Sequence, residues 1–153
     1  GRISWRTPLS GLSAMATVGY NHSTFKSVSP TIVQFFPNSP GDRVPGTPEW
    51  NGSAALNYDA PIGSGDMNFV GGALLTFQDE NTDPIGLTDA DGNILATDFR
   101  AELSLRAGIR KGDWELTVFA NNVTNSRKST IVFANLWTAP VPRTVGLRLT
   151  AGF

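Results

Sequence analysis

From Phe99 to Ile109 the chain alternates. Phe99, Ala101, Leu103, Leu105, Ala107 and Ile109 hold one parity, while Arg100, Glu102, Ser104, Arg106 and Arg110 fall on the other. Successive side chains of a strand point to opposite faces, so a period of two predicts a β-strand with one apolar and one polar face. The split recurs at Leu12, Ala14, Ala16, Val18 and Tyr20 against Ser13, Thr17 and Gly19, and at Trp50, Ala54, Leu56 and Tyr58 against Asn51, Ser53 and Asn57. It continues through Phe69, Ala73, Leu75 and Phe77, through Trp114, Leu116, Val118 and Ala120, and through Val145, Leu147, Leu149, Ala151 and Phe153. Ile3 and Trp5 against Arg2, Ser4 and Arg6 read as the tail of a further strand. No segment sustains helical spacing, so the pattern predicts an all-β, antiparallel chain of about seven strands, each about ten residues long.

At roughly 32 positions of the apolar parity there is no Asp, Glu, Lys or Arg; random placement at the chain's 16% charged content would put about five there. Met15, Val70, Leu74 and Phe119 are large apolar residues on the polar side, and they are expected to pack against something inside. The breaks between strands alternate short and long. Thr7 to Ser10, Ala60 to Ser64 and Arg110 to Asp113 are short; Asn21 to Pro48, Asp79 to Thr97 and Thr124 to Pro140 are long. Long loops are uncommon in compact domains, whereas transmembrane β-barrels combine short turns at one rim with long loops at the other. Aromatic residues follow the same division: Trp5, Tyr58, Phe69 and Trp114 adjoin short turns, and Tyr20, Trp50, Phe77 and Phe99 adjoin long loops. Trp and Tyr collect at membrane interfaces, so these eight are expected to form two girdles bounding a lipid-facing band.

Composition narrows the function classes. Charged residues are 16% of the 153, below the roughly 25% of an average domain. Twelve basic and 13 acidic residues leave a net charge of -1 and no footprint for nucleic acid. The absence of cysteine removes disulfide scaffolds, thiolate catalysis and iron–sulfur centres, and one histidine, His22, leaves little for a metal cluster or a catalytic triad. Sixteen Gly and ten Pro punctuate the chain too often for long helices. No apolar run reaches the roughly 18 residues of a membrane-spanning helix, so a membrane would have to be crossed by strands. Because the sequence opens on Gly1, a fragment or a processed chain is expected.

Several segments resemble one family. "TPLSGLSAMATVGYNHSTF" resembles a hairpin of TonB-dependent outer-membrane receptors that ends in a glycine–tyrosine strand, and "PGDRVPGTPEWNGSAALNYDAPI" resembles their passage from an outer loop into the next strand. "GDWELTVFANNVTNS" is similar to the penultimate strand with its asparagine-rich exit, and "VPRTVGLRLTAGF" to the terminal strand that ends on phenylalanine. The likeness spans the whole chain and is most specific in that last strand. It implies a piece of a barrel of about 22 strands with a plugged lumen. It also implies uptake of a scarce ligand such as a ferric siderophore, cobalamin or an oligosaccharide, powered through TonB acting on the plug, in the bacterial cell outer membrane. Residues 1–153 would then be the C-terminal portion of that barrel domain, without plug or TonB box.

An open seven-stranded sheet in lipid would leave roughly ten unpaired backbone groups on each edge, at several kcal/mol apiece. That total exceeds the about 5–15 kcal/mol by which a domain is stable, so the remaining strands of the barrel are an expected partner. The resemblance further implies that Val145, Leu147, Leu149 and Phe153 act as a signal to the barrel-assembly machinery. Arg100, Glu102, Arg106, Arg110, Glu115 and Arg148, all on the polar parity, are expected to face the lumen and to pair with each other or hold the plug. Ligand contact is expected on the long loops, through Phe35, Phe36 and Trp137. Asp79, Glu80, Asp83, Asp89 and Asp91 form an acidic stretch, but no Glu occupies the twelfth position of a calcium loop. Asn21, Asn51 and Asn122 begin glycosylation-type triplets without meaning in a bacterial outer membrane. No nucleophile–base pair, paired carboxylates or phosphate cradle is present, so neither an enzyme nor a cofactor is expected. Two alternatives fit parts of the pattern: a soluble β-sandwich carbohydrate-binding module, with the apolar parity buried between two sheets, and a passive porin-type barrel.

Overall fold

The computed structural model describes residues 1–6, 9–29, 39–83, 87–93, 95–128, 130–133, 136–138 and 141–152, with backbone alone for residues 6, 130–133, 136 and 137. It is all-β and antiparallel, with no helix among the described residues. The strands are β1 (Arg2–Arg6), β2 (Leu12–Tyr20), β3 (Trp50–Pro61), β4 (Met67–Gln78), β5 (Asn81–Thr82), β6 (Ala96–Thr97), β7 (Arg100–Lys111), β8 (Trp114–Asn121), β9 (Thr130–Phe133), β10 (Leu136–Thr138) and β11 (Thr144–Ala151). Seven of them make one sheet in the order β1-β2-β3-β4-β7-β8-β11, a meander in which each strand pairs with its predecessor in the sheet. The sheet is open and no closed barrel is seen.

Sequence spacing anticipates this sheet but not its details. The strands range from 5 to 12 residues rather than holding near ten. Two small hairpins, β5 with β6 and β9 with β10, occupy two of the long loops. Their strands of two to four residues are too short to carry a period.

The register decides which side chains share a face, because residues directly opposite each other in an antiparallel pair project to the same side. Tyr20 lies opposite Trp50, Leu56 opposite Ala73, Leu75 opposite Leu103, Ile109 opposite Leu116, and Val118 opposite Leu147. The apolar parities of all seven strands therefore fall on one face. Within the strands Lys111, at the rim beside Asp66 (3.5 Å), is the one charge that shares it.

That face has no cover among the described residues. Val70, on the opposite face, is the one described large apolar side chain that is buried (7% exposed), whereas Ile3, Trp5, Leu56, Leu105, Leu116 and Val145 are exposed and Leu147 reaches 73%. Burial of apolar surface is the main favourable term in folding, and water-soluble monomers rarely expose apolar patches beyond a few hundred Å². A sandwich would bury these side chains between two layers; the described chain forms a single layer.

All three short turns, after β1, β3 and β7, lie at one end of the sheet, and all three long connections lie at the other. Gly112, with φ 53°, opens the two-residue turn between Lys111 and Trp114, where a hairpin demands a positive φ that L side chains resist. β11 ends at this same rim, with the Gly152 amide donating to the Asp113 carbonyl (3.0 Å). The two edge strands, β1 and β11, both run toward the short-turn end.

Candidate functional site

The eight girdle aromatics occupy the apolar face, four near each end. Tyr20 and Trp50 pack with ring centroids 4.5 Å apart, Phe77 and Phe99 at 6.4 Å, and Tyr58 and Phe69 at 6.0 Å. Phe77 is half-buried and the others, Trp5 and Trp114 included, are exposed. The Trp50-to-Tyr58 and Phe69-to-Phe77 steps each correspond to roughly 26 Å of extended strand, which separates the two aromatic rims. Glycine on this face makes room for the rings: a Cβ on Gly52 would lie 2.6 Å from Phe77, and one on Gly71 would lie 2.9 Å from Phe69.

The opposite face carries Arg100, Glu102, Arg106, Arg110, Glu115 and Arg148, with partners that the sequence did not name. Arg110 pairs with Asp59 across the sheet (2.5 Å), and Asn68 donates to the other oxygen of the same carboxylate (2.6 Å). Both members of that pair are about two-fifths exposed, which keeps its contribution below about 1 kcal/mol. Arg100 and Glu102 stand 3.7 Å apart on one strand. Glu115 is opposite Arg110 in the register, yet Asp59 takes the guanidinium, so the expected mutual ladder is only partly formed. Arg106 donates to Asn57 Oδ1 (3.0 Å), and the Arg148 guanidinium lies over the Phe119 ring at 5.6 Å.

Among the four apolar residues on the polar face, Val70 is buried beside Gly108, where an added Cβ would meet the Leu116 carbonyl at 2.2 Å. Met15 accepts a contact from Arg2 (3.2 Å), Phe119 lies across Gly146, and Leu74 is 43% exposed. They are therefore not all packed away within the described chain.

At the long-loop end a polar knot fixes the chain on its way into β3. His22 Nδ1 donates to Glu49 Oε1 (3.0 Å), and Arg43 lies 3.6 Å from the other carboxylate oxygen. The His22 bond, followed by one from Tyr20, holds the Glu49 carboxyl below its usual range. Asn122, 3% exposed with φ 48°, is a second anchor. Its amide donates to the Ser126 and Val141 carbonyls (2.9 and 2.8 Å), and its oxygen accepts from the Ser126 amide and the Thr124 hydroxyl (2.9 and 3.1 Å). It ties the exit of β8 to the entry of β11. The only sequence signal was the triplet it begins, which conveys nothing of this role.

Asp89 closes the acidic stretch as a turn, accepting from the backbone amides of Asp91 and Asn93 at 3.0 and 2.9 Å. The Asn93 amide is the main reason its carboxyl sits below the ordinary range. Among the described residues no three His, Asp or Glu gather as metal ligands, so Asp79, Glu80, Asp83, Asp89 and Asp91 do not converge. Val145, Leu147 and Leu149 line edge strand β11 on the apolar face. Phe153, Phe35 and Phe36 lie outside the described residues, as does the side chain of Trp137 in β10. No helix among the described residues is long and apolar enough to cross a membrane, a statement that does not extend to strands.

The chain matches no family model, no curated protein and no solved structure.

Proposed function

We propose that the chain is the C-terminal wall of a TonB-dependent outer-membrane receptor, with its charge-free face against lipid and its polar face toward the lumen of a larger barrel. One observation carries this reading: a continuous, exposed apolar face bounded by two aromatic rims, on a meander with all its short turns at one end. Hydrocarbon is the medium such a surface matches. Roughly 26 Å of strand tilted by about 40° projects to roughly 20 Å, close to the about 25 Å apolar band of outer-membrane barrels. Aromatic rings at both borders of the band suit the headgroup layers.

In lipid every backbone donor and acceptor needs an internal partner, so β1 and β11 each take a neighbouring strand from the remainder of the barrel. Plug and TonB contact belong to that remainder. Ligand selection falls to the long loops, with a ferric siderophore, cobalamin or oligosaccharide as the cargo class. The apolar row of β11 with Phe153 serves the assembly machinery, which reads a strand edge by adding a strand to it.

The test is uptake by cells carrying the full-length gene product. The protein should fractionate with the outer membrane, and uptake should stop when TonB is deleted. Recovery in a soluble fraction would overturn the lipid-facing assignment, and solute flux that persists without TonB would make the barrel a passive pore. Removing Phe153 should lower the amount of assembled barrel in the membrane fraction and leave ligand affinity unchanged in what does assemble. Equal membrane levels with and without it would remove the assembly role.

A further inference from the structure

Among the described residues burial is deepest at the long-loop end. Asp83, Asn122 and Thr97 are 0, 3 and 7% exposed, as deep as or deeper than Val70, the one described large apolar side chain that is buried. All three are polar and belong to the long connections, Asp83 and Thr97 to residues 79–99 and Asn122 to residues 122–143. Covering a polar side chain this completely is costly unless the atoms around it stay in place to meet its hydrogen bonds. The described parts of these connections therefore form a packed body rather than a fringe of independent loops.

β5 is where the three connections meet. The Thr82 carbonyl accepts from the Gly46 amide (3.0 Å), which ties residues 21–49 to it. Within its own connection β5 is held by β6. Thr97 Oγ1 accepts from the Asn81 amide (2.9 Å) and donates to the Asn81 carbonyl (3.3 Å), and the Asp83 amide donates to the Leu95 carbonyl (2.7 Å). β9, from the third connection, lies beside both β5 and β6. Asp98 and Lys128 stand 3.4 Å apart across the same junction, but both are open to water, and such a pair adds little. A two-stranded ribbon is marginal in water on its own, and the strands of these two ribbons have only two to four residues each. Each ribbon depends on its neighbours for whatever stability it has.

We infer that the described parts of the three long connections form one lid, which opens and closes as a unit around β5 while the seven-stranded sheet stays paired. Segments that cover one another are uncovered together, at a lower free energy than unfolding of the strands they join. A ligand or partner that orders one connection then lowers the cost of ordering the other two. The contacts involved all lie at the long-loop end, so the inference stands whatever medium covers the apolar face.

The test is native-state hydrogen exchange of the full-length gene product in detergent micelles, read at Val44, Asp83, Leu95 and Ser126 and, as the control, at residues 103–107 in mid-strand. Thr97→Val keeps nearly the same shape and removes the hydroxyl that meets the Asn81 amide. It should quicken exchange about tenfold at Asp83 and Leu95, and by less than about twofold at residues 103–107. A similar tenfold rise should appear at Val44 and Ser126, whose amides are bonded within the other two connections, to the Ser23 carbonyl and to Asn122 Oδ1. Should the variant fail to assemble, a urea series on the unaltered protein, below its unfolding transition, decides the matter: the four amides should converge on one opening curve with a shared slope. Quickening confined to Asp83 and Leu95, quickening as large at residues 103–107, no quickening, or separate opening curves for the three connections would each overturn the lid.

Discussion

The two faces of the sheet share the same seven strands and follow opposite rules. On the apolar face directional partners stand at the rims, where Tyr20 donates to Glu49 and Lys111 lies 3.5 Å from Asp66, and the rings there pack on one another. On the polar face Asp59, Asn68 and Arg110 are locked by short hydrogen bonds, and Arg106 and Phe119 lie flat across particular glycines. In the proposed barrel the difference teaches that one face is specified by a medium and the other by individual pairings. A medium tolerates changes of shape and rejects charge; a pairing tolerates neither loss nor displacement of its partner.

Charge is the sharpest way to break the contrast. Leu105→Arg or Leu147→Arg, near the middle of the proposed lipid band, should each cost about 2–4 kcal/mol when folding of the full-length gene product into lipid vesicles is followed by urea titration. Thr76→Arg, on the other face, should stay within about 0.5 kcal/mol. Equal losses at Leu105 and Thr76 would erase the distinction between the faces.

Asn122→Ala probes pairing instead of medium. It strips four hydrogen bonds from a site that is 3% exposed, at an expected cost of about 1–3 kcal/mol. Amide exchange should quicken at Ser126 while the middle of the sheet keeps its protection; unchanged exchange there would show that the anchor is dispensable.

The smallest effect concerns acidity. Glu49 sits below the ordinary carboxylate range because His22, then Tyr20, donates to it. A depressed carboxyl stabilises the fold above its unfolded-state pKa, and that contribution fades as pH falls through the lower folded value. Exchange at the Asn21 and Val44 amides, which bond to Glu49 and Ser23 carbonyls, should therefore accelerate on acidification below about pH 4. Glu49→Gln should flatten that dependence, and a variant that kept it in full would assign the effect to another carboxyl.

Much of this architecture was legible because a period of two repeated over eight to twelve residues is a strong local signal. The register then confirmed that Leu56, Leu103 and Leu149 share a side, which no strand read singly establishes. β5, β6, β9 and β10 escaped because so few residues leave no period to detect. Asp59 escaped as the partner of Arg110 for another reason. They are 51 positions apart, and only the register of β3 on β4 and of β4 on β7 brings them together. Asn122 escaped because its role rests on carbonyls at Ser126 and Val141, and backbone acceptors have no residue signature. The polar-face arginines were recognisable by parity, but which of them lack a carboxylate is a property of the assembled sheet.

The shared heading of the two edge strands imposes a rule of counting. A ring whose neighbours all run in opposite senses can close through β1 and β11 only by taking in an odd number of further strands, which makes its total even. Copies of this chain joined edge to edge around a ring would instead create a parallel seam at every junction. In the proposed barrel, the strands that complete the ring must therefore begin and end in the sense opposite to that of β1 and β11.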